Sequence, residues 1–385
     1  MKVEKLLDVV QIKNPKPEKF IGEKRYYSTG NINEYNVSEN FELVKFENRP
    51  SRANVQPIEN SVSFAKMKST VKTLIVTKNY SECIFSTGMN FLLPSKNIIS
   101  KYLYYYLISP YFLDLKDKYS GQGIMGGLSN KDLNLFKIPV PPLQEQEKIV
   151  KKLDNILEST NFEINSNMQK IEKIDYFYNS FLNSIFNNRN FKFTDLGNLC
   201  DLIGGGTPSK QNESFYEGDI PWATVGDMQD IEVSDTRLKI NKDAIKNSST
   251  KVIPSGNIII ATRVGLGKVS RLLVDTAINQ DLKGVIPKIK KNIDEKFLLF
   301  WFQSKSNDII SAGTGATVQG VKLPFVRSLK IPILDIETQK HIGNRVESVF
   351  KSCEYLKNIY LTKVSLYETL RKSVINEAFE IKNDE

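Results

Sequence analysis

One histidine, His341, and three scattered cysteines are all that 385 residues hold of the side chains most used to bind metals. Cys83, Cys200 and Cys353 lie far apart and none belongs to a C-x-x-C pair. That spacing argues against a disulfide framework or a zinc ribbon, and reduced thiols are the default expectation. Long apolar runs are also missing. The N-terminal MKVEKLLDVVQIKNPKPEKF has no apolar core of signal-peptide length, and the longest candidate, Tyr102 to Ile108, ends at Pro110. A cytoplasmic, non-membrane protein is therefore predicted. There is no G-x-x-x-x-G-K-[ST] phosphate cradle, because Gly204-Gly205-Gly206 is followed by Thr-Pro-Ser-Lys. The Asn/Asp-Pro-Pro-aromatic tetrad of amino-methyltransferases is absent too. These absences predict no ATP hydrolysis, no methyl transfer, no cofactor and no metal.

What is present is a duplication. Subtracting 193 from second-half positions returns similar residues: Ile331-Pro332-Ile333 becomes Ile138-Pro139-Val140, Gln339 becomes Gln146, and Phe379 becomes Phe186. At the same offset Leu199, Asp201, Leu202 and Pro208 match Leu6, Asp8, Val9 and Pro15. A duplicated chain suits a ligand with its own approximate twofold, and duplex DNA is the obvious one. The hydrophobic and aromatic fractions, 40% and 10%, are globular, and a formal charge of +9 favours a polyanionic partner.

Each copy reads as a mixed α/β block followed by a long helix. In the first, short strands are predicted at Leu6–Ile12, Ser61–Met67, Thr73–Thr77, Phe91–Leu93 and Leu135–Val140, with a buried helix over Lys101–Leu107. Pro141-Pro142 then presets a helix start, since a first turn cannot use the missing N–H. From Val150 the positions 150, 153, 157, 160, 164, 167, 171, 174, 178, 181 and 185 step by threes and fours, a coiled-coil seam with polar outer faces. The helix would be roughly 65 Å long at about 1.5 Å per residue. In the second copy strands are predicted at Leu199–Ile203, Asn257–Thr262, Lys268–Val274, Gly284–Pro287 and Ser328–Ile333, with a buried helix at Phe297–Phe302. Its seam holds Ile342, Val346, Phe350, Cys353, Leu356, Tyr360, Val364, Tyr367, Leu370, Val374 and Ala378. Two apolar seams are best buried against each other, antiparallel, with the blocks at opposite ends.

The junctions IPVPPLQEQEKIV (138–150) and IPILDIETQKHI (331–342), the opening LGNLCDLIGGGTPSK…GDIPWATVGDM (196–228) and INQDLKGVIP (278–287) resemble the specificity subunit of type I restriction-modification systems. With the duplication, the resemblance covers essentially the whole chain. It implies an α+β architecture: two pseudo-twofold-related target recognition domains separated by two long antiparallel coiled-coil helices. The boundaries would be 1–142 and 188–335 for the domains, and 143–187 and 336–381 for the spacers. It further implies a non-catalytic subunit that binds a bipartite double-stranded DNA target. Two methyltransferase subunits would dock along the spacers, and restriction subunits would join through the complex. The first block departs from the pattern. It has Gln11-Ile12-Lys13-Asn14-Pro15 against Gly204-Gly205-Gly206-Thr207-Pro208, and Lys24-Arg25-Tyr26-Tyr27-Ser28-Thr29 against Ile220-Pro221-Trp222-Ala223-Thr224.

Basic side chains position on phosphates or fork onto guanine, and aromatics contact methyls or wedge into the stack. The candidate DNA-binding residues are Lys24, Arg25, Tyr26, Tyr27, Arg49, Arg52, Lys66 and Lys68 in the first block. In the second they are Lys210, Trp222, Thr224, Arg263 and Lys268. The glycines 204–206 predict either a close backbone approach, with a phosphate as one partner, or a plain turn. Gly121-Gln122-Gly123 and Gly313-Thr314-Gly315 recur in both copies, which suggests a structural role. His341 has Lys148 as its counterpart, so it reads as a solvated helix residue. Asp281-Leu282-Lys283 has the acid-x-Lys form of a nuclease site, and a stand-alone nuclease is the alternative function. Its counterpart Gly88-Met89-Asn90 carries no acid, which favours chance. A purely structural coiled-coil scaffold is the third reading.

Overall fold

The computed structural model describes residues 2–33, 36–121, 127–289, 291–314 and 320–381. Two compact units emerge, one of Met1–Met168 with Leu361–Glu385, the other of Gln169–Tyr360.

The first unit holds two four-stranded sheets. One runs Val10–Ile12, Met89–Pro94, Val62–Ala65, Thr73–Ile75. The other runs Glu42–Val44, Lys24–Tyr27, Ile84–Ser86, Ala53–Val55. The second unit repeats both orders. Cys200–Gly204, Leu282–Pro287, Ile258–Ala261 and Val269–Leu272 form one sheet, extended by Glu232–Val233. Leu238–Ile240, Ile220–Ala223, Thr276–Ile278 and Lys251–Ile253 form the other. In each unit a single parallel pair sits in the second sheet, Ile84 beside Tyr26 and Ala277 beside Trp222.

Strand pairing shows that the repeat has no single offset. A shift of 190 carries Val3–Lys5 onto Phe193–Asp195, since these pair with Lys137–Pro139 and Lys330–Pro332 in the same register. A shift of 196 carries Tyr26 onto Trp222 and Val62 onto Ile258. From Ile84 onward the shift is 193, and Leu143–Phe186 maps onto Ile336–Phe379. The 193-residue matches at the front of each copy are thus out of register by three. Gly204 corresponds to Asn14, not to Gln11. The predicted strands at Leu6–Ile12 and Leu199–Ile203 also begin too early. Leu6–Val9 and Leu196–Leu199 are single helical turns that bury Leu6 and Leu196, and the strands start at Val10 and Cys200.

Each unit's core is an aromatic helix pressed on the first sheet. Ser100–Leu107 buries Tyr102 and Tyr106, whose hydroxyls donate to the carbonyls of Pro139 and Lys137. Glu295–Ser304 buries Trp301, whose indole donates to the equivalent carbonyl of Lys330. A buried phenol or indole needs such a partner, and both units supply it from the strand that leads into a long helix.

Those helices are Leu143–Phe186 and Ile336–Phe379. Asp335 caps the second, accepting from the backbone and hydroxyl of Thr338, and those hydrogen bonds hold its carboxyl below the usual carboxylate range. Within each unit the two helical segments run antiparallel. In the second unit Tyr178 packs on Phe350, and Asp175 pairs with Lys357. In the first, Arg371 donates to Leu157, Thr160 and Asn161. A shift of 193 turns the Leu157–Arg371 pair into the Phe350–Tyr178 pair, so both units use the same rung. The first seam is buried or half-buried at every predicted position. The second deviates at Leu356 and Leu370, which are exposed. Lys357 and Arg371 take the inward positions instead, because their charged tips find Asp175 and Asn161 across the seam. The outer faces are not uniformly polar, as Phe162, Tyr176 and Tyr355 lie in solvent.

Gln146 and Gln339 explain their own recurrence. Gln146 is fully buried. Its oxygen accepts from Ile99 N, and its nitrogen donates to the carbonyls of Asn97 and Pro141. Gln339 does the same with Asp294 N, Asn292 and Leu334. Each amide ties the first turns of a long helix to its block. Gln146→Ala leaves three backbone groups unmatched, and we expect a loss of about 3 kcal/mol in a chemical-denaturation midpoint.

Candidate nucleic-acid interface

In each unit one turn joins the two sheets. In the first it is Ser86-Thr87-Gly88, where Gly88 N donates to Ser86 Oγ at 3.2 Å. In the second it is Asn279-Gln280-Asp281, where Asp281 N donates to Asn279 Oδ1 at 3.1 Å. A loop lies beside each. Lys66 O accepts from Leu128 N, and Thr262 O accepts from Val321 N, both at 2.9 Å and at equivalent positions. The scaffold is therefore the same while the side chains on it differ.

Around the first turn, Lys66 Nζ donates to Thr87 O at 3.0 Å, and burial lowers its pKa. Arg52 O accepts from Thr87 N, so Thr87 is bonded both to the Arg52 backbone and to the Lys66 ammonium. Lys68 lies exposed on the adjoining loop. That loop is clamped from the helix Pro110–Tyr119, which the sequence reading missed. Asp117 accepts from the backbone and hydroxyl of Ser69, whose φ is +54°. Lys116, fully buried, donates to Ala65 O and to the Thr70 carbonyl and hydroxyl.

Burial pulls the Lys116 ammonium from its ordinary 10.5 down to about 8. Below pH 8 folded and unfolded chains both keep the proton, and the burial cost is full. Above it the folded chain sheds a proton that the unfolded chain retains to about 10.5, so stability rises with pH. Between pH 8 and 10 the gain should be about 2 kcal/mol, read from urea midpoints, and Lys116→Met should abolish the slope.

Around the second turn, Asp281 pairs with Arg263 at 3.6 Å and accepts from Asn279 Nδ2 and Gln280 Nε2 at 3.2 and 3.3 Å. Thr207 donates to Gln280 Oε1. Lys283 donates to the carbonyls of Gln280 and Leu282, and burial lowers its pKa. Thr207, Gln280 and Lys283, which surround this turn, were not among the candidate DNA-binding residues read from the sequence. Thr207 and Gln280 are 73 residues apart, so no local pattern announces their contact.

The glycine run serves this turn. A Cβ on Gly205 would stand 2.2 Å from Ile278 O, and one on Gly206 would stand 2.6 Å from Thr250 N. The close approach is to the protein's own backbone, not to an open phosphate site. It sets Thr207 against Gln280. Trp222 braces the loop by donating its indole N–H to Gly206 O at 3.2 Å.

Trp222 is thus a core residue, 3% exposed, as are Tyr26 and Tyr27 at 5% and 4%. These three cannot stack on or wedge between bases, because sheet packing already covers their rings. Arg49 is likewise spent. It stacks on Phe46 and donates to Ala53 O, Phe46 O and Asn54. Thr224 caps a turn through Asp227, Lys24 donates to Gln56, and Lys268 donates to Met228 O. Arg25 lies over Phe41. Lys210 is exposed in the loop after Pro208. Gly121, Gly313 and Thr314 are described, while Gln122, Gly123 and Gly315 lie outside the described residues. Cys83, Cys200 and Cys353 are buried and free. His341 is exposed on its helix. Among the described residues no helix is long and apolar enough to cross a membrane.

A model of the family described as type I restriction modification DNA specificity domain matches residues 1–175 and again 188–362. The chain belongs to this family and carries two copies of its domain. It is 32% identical over 256 residues to the EcoR124I/EcoR124II type I restriction enzyme specificity subunit of Escherichia coli, covering 63% of this chain and 61% of that one. A putative type I restriction enzyme MjaX specificity subunit of Methanocaldococcus jannaschii is 26% identical over 288 residues, covering 68% and 64%. The chain thus spans less than two thirds of the length of these curated relatives. Its fold is shared with a chain from a study of complex assembly and conformational transition in a type I R-M system. There the TM-score is 0.82 at 18% identity, covering 98% of this chain and 97% of that one. The crystal structure of the HsdS subunit from Thermoanaerobacter tengcongensis gives 0.57 at 18% identity, covering 98% and 96%.

Proposed function

We propose that this chain is the non-catalytic DNA-specificity subunit of a cytoplasmic type I restriction-modification complex. The observation that carries the reading is the repeated turn with divergent side chains. One scaffold presents Thr87 and Lys66 in one unit, and Gln280, Asp281 and Arg263 in the other. A reader of two unlike half-sites needs that combination: a constant frame and variable contacts. Blocks 1–142 and 188–335 would each read one half of a bipartite duplex target. The net charge of +9 supplies the phosphate attraction. Arg52, Lys66 and Arg263 are the candidate contacts that keep an exposed or half-exposed side chain on residues bonded to these turns, and Lys68 and Lys210 are exposed on loops.

The long helices, 143–187 and 336–381 with their ends, would hold the half-sites at a fixed gap and dock two methyltransferase subunits, with restriction subunits joining the complex. Support comes from their outer faces. Phe162 and its counterpart Tyr355 are 71% and 68% exposed, and Phe177 and Leu370 are exposed in the same way. Apolar side chains exposed at equivalent positions of both copies fit two copies of one partner. The nuclease alternative has less support, because Asp281 is engaged by Arg263, Asn279 and Gln280.

The test is reconstitution with a type I methyltransferase subunit. Sequence-specific adenine methylation by the mixture, with neither cutting nor methylation by this chain alone, is the expected result. Cleavage by the purified chain, lost in Asp281→Ala, would overturn it.

A further inference from the structure

We propose that Gln280 reads the major-groove edge of an adenine in the half-site of the second unit, and that Asp281 is the positioning residue that aims its amide. The inference rests on the chain being a DNA-specificity subunit.

The argument is a count of donors and acceptors. A glutamine amide has two N–H groups and two oxygen lone pairs, and rotation by 180° exchanges their places. Here rotation is blocked chemically. A carboxylate accepts only, so Asp281 faces the amide nitrogen, at 3.3 Å. Thr207, on the other side, then donates its hydroxyl to the amide oxygen. Each interaction uses one group of its kind. One N–H and one lone pair remain on an exposed side chain.

That pair has a definite complement. Adenine presents the N7 acceptor beside the N6 donor, whereas guanine presents two acceptors, N7 and O6. Thymine offers O4 and a methyl, and cytosine a lone donor. An amide free to rotate could adapt to other edges. A pinned one discriminates, because the wrong base leaves a donor or acceptor unmatched.

The surroundings are built to hold this geometry. Gly205 lets the Thr207 loop lie against Ile278 and Asn279, where a side chain would clash at 2.2 Å. Asn279 also donates to the Asp281 carboxylate, fixing it from below at 3.2 Å. Arg263, with its side chain 52% exposed, approaches the same carboxylate at 3.6 Å, beyond hydrogen-bond length. Its guanidinium donors stay available to the DNA backbone or a neighbouring base. The first unit has Thr87 and Gly88 at the equivalent positions, so this amide–carboxylate pair belongs to one half-site only.

The experiment is methylome sequencing of the complete methyltransferase complex carrying wild type, Gln280→Ala, Asp281→Asn, or both. We expect Gln280→Ala to make one A·T position of one half-site degenerate. Discrimination there should fall about 10- to 100-fold, with the other half-site unchanged. Asp281→Asn should relax the same position, since a carboxamide accepts either orientation of Gln280. The double variant should be no worse than Gln280→Ala. A merely structural Asp281 would instead lower melting temperature and methylation everywhere without touching one base. An unchanged motif with Gln280→Ala, or degeneracy at a G·C position, would overturn the proposal while leaving the specificity-subunit reading in place. A wild-type complex without sequence preference would overturn both.

Discussion

Exchanging residues 1–142 for the corresponding block of another family member should rewrite one half of the methylated sequence and leave the other half intact. Methylation of the original site should fall about a thousandfold, because a wrong half-site carries several mismatches at roughly 1–3 kcal/mol each. The structure sets a condition on the graft. Phe379 packs on Tyr102 and Tyr106, and Ile375 and Leu153 join the same core. The incoming block must keep that aromatic surface. Methylome sequencing reads the result, and a change in both half-sites together would show that the blocks do not read independently.

A second large effect is expected at Val346, which is fully buried in the second unit's core beside Leu182 and Phe186. Val346→Asp would lose its apolar burial and place a carboxylate there with no cation built to meet it. The loss should be about 4–5 kcal/mol. A chemical-denaturation midpoint measures it, and Glu347→Ala, one residue along the helix, should cost much less. Equal losses would mean that the seam does not run through Val346.

The long helices were legible because apolar side chains spaced by threes and fours over many turns fall on one stripe of a helix and on no single face of a strand. Leu143–Phe186 ends one residue from the reading. The exceptions at Leu356 and Leu370 have a cause. Leucine looks like a better seam residue than lysine or arginine until a carboxylate or amide appears across the interface. The short strands were less legible. Lys24–Tyr27 and Ile220–Ala223 show no alternation, because Tyr26 and Tyr27 are both covered. The aromatic residues chosen for DNA contact failed for the same reason. Their chemistry suits bases, but sheet packing claims their faces first. The turn at Gln280 was visible in the sequence as a stretch resembling a family and, at Asp281 and Lys283, as an acid-x-Lys pattern. The contacts around it come from Thr207, Gly205 and Arg263, which the chain places at a distance in sequence.

The division of the helices has a consequence for biosynthesis. The second unit is one uninterrupted stretch, Gln169–Tyr360, whereas the first needs Leu361–Glu385 as well as Met1–Met168. Ile375 and Phe379 are buried in the first unit's core. A ribosome that has finished the first block has not yet made the side chains that close it. When Tyr360 has been added every residue of the second unit exists, while the first still lacks Leu361–Glu385 and the apolar surface around Tyr102 lacks Phe379. The end of the second long helix is thus a late-made part of the first unit's core. Vectorial synthesis completes the N-terminal unit last, and a nascent chain stalled near Tyr360 would present it to chaperones and proteases as an open core.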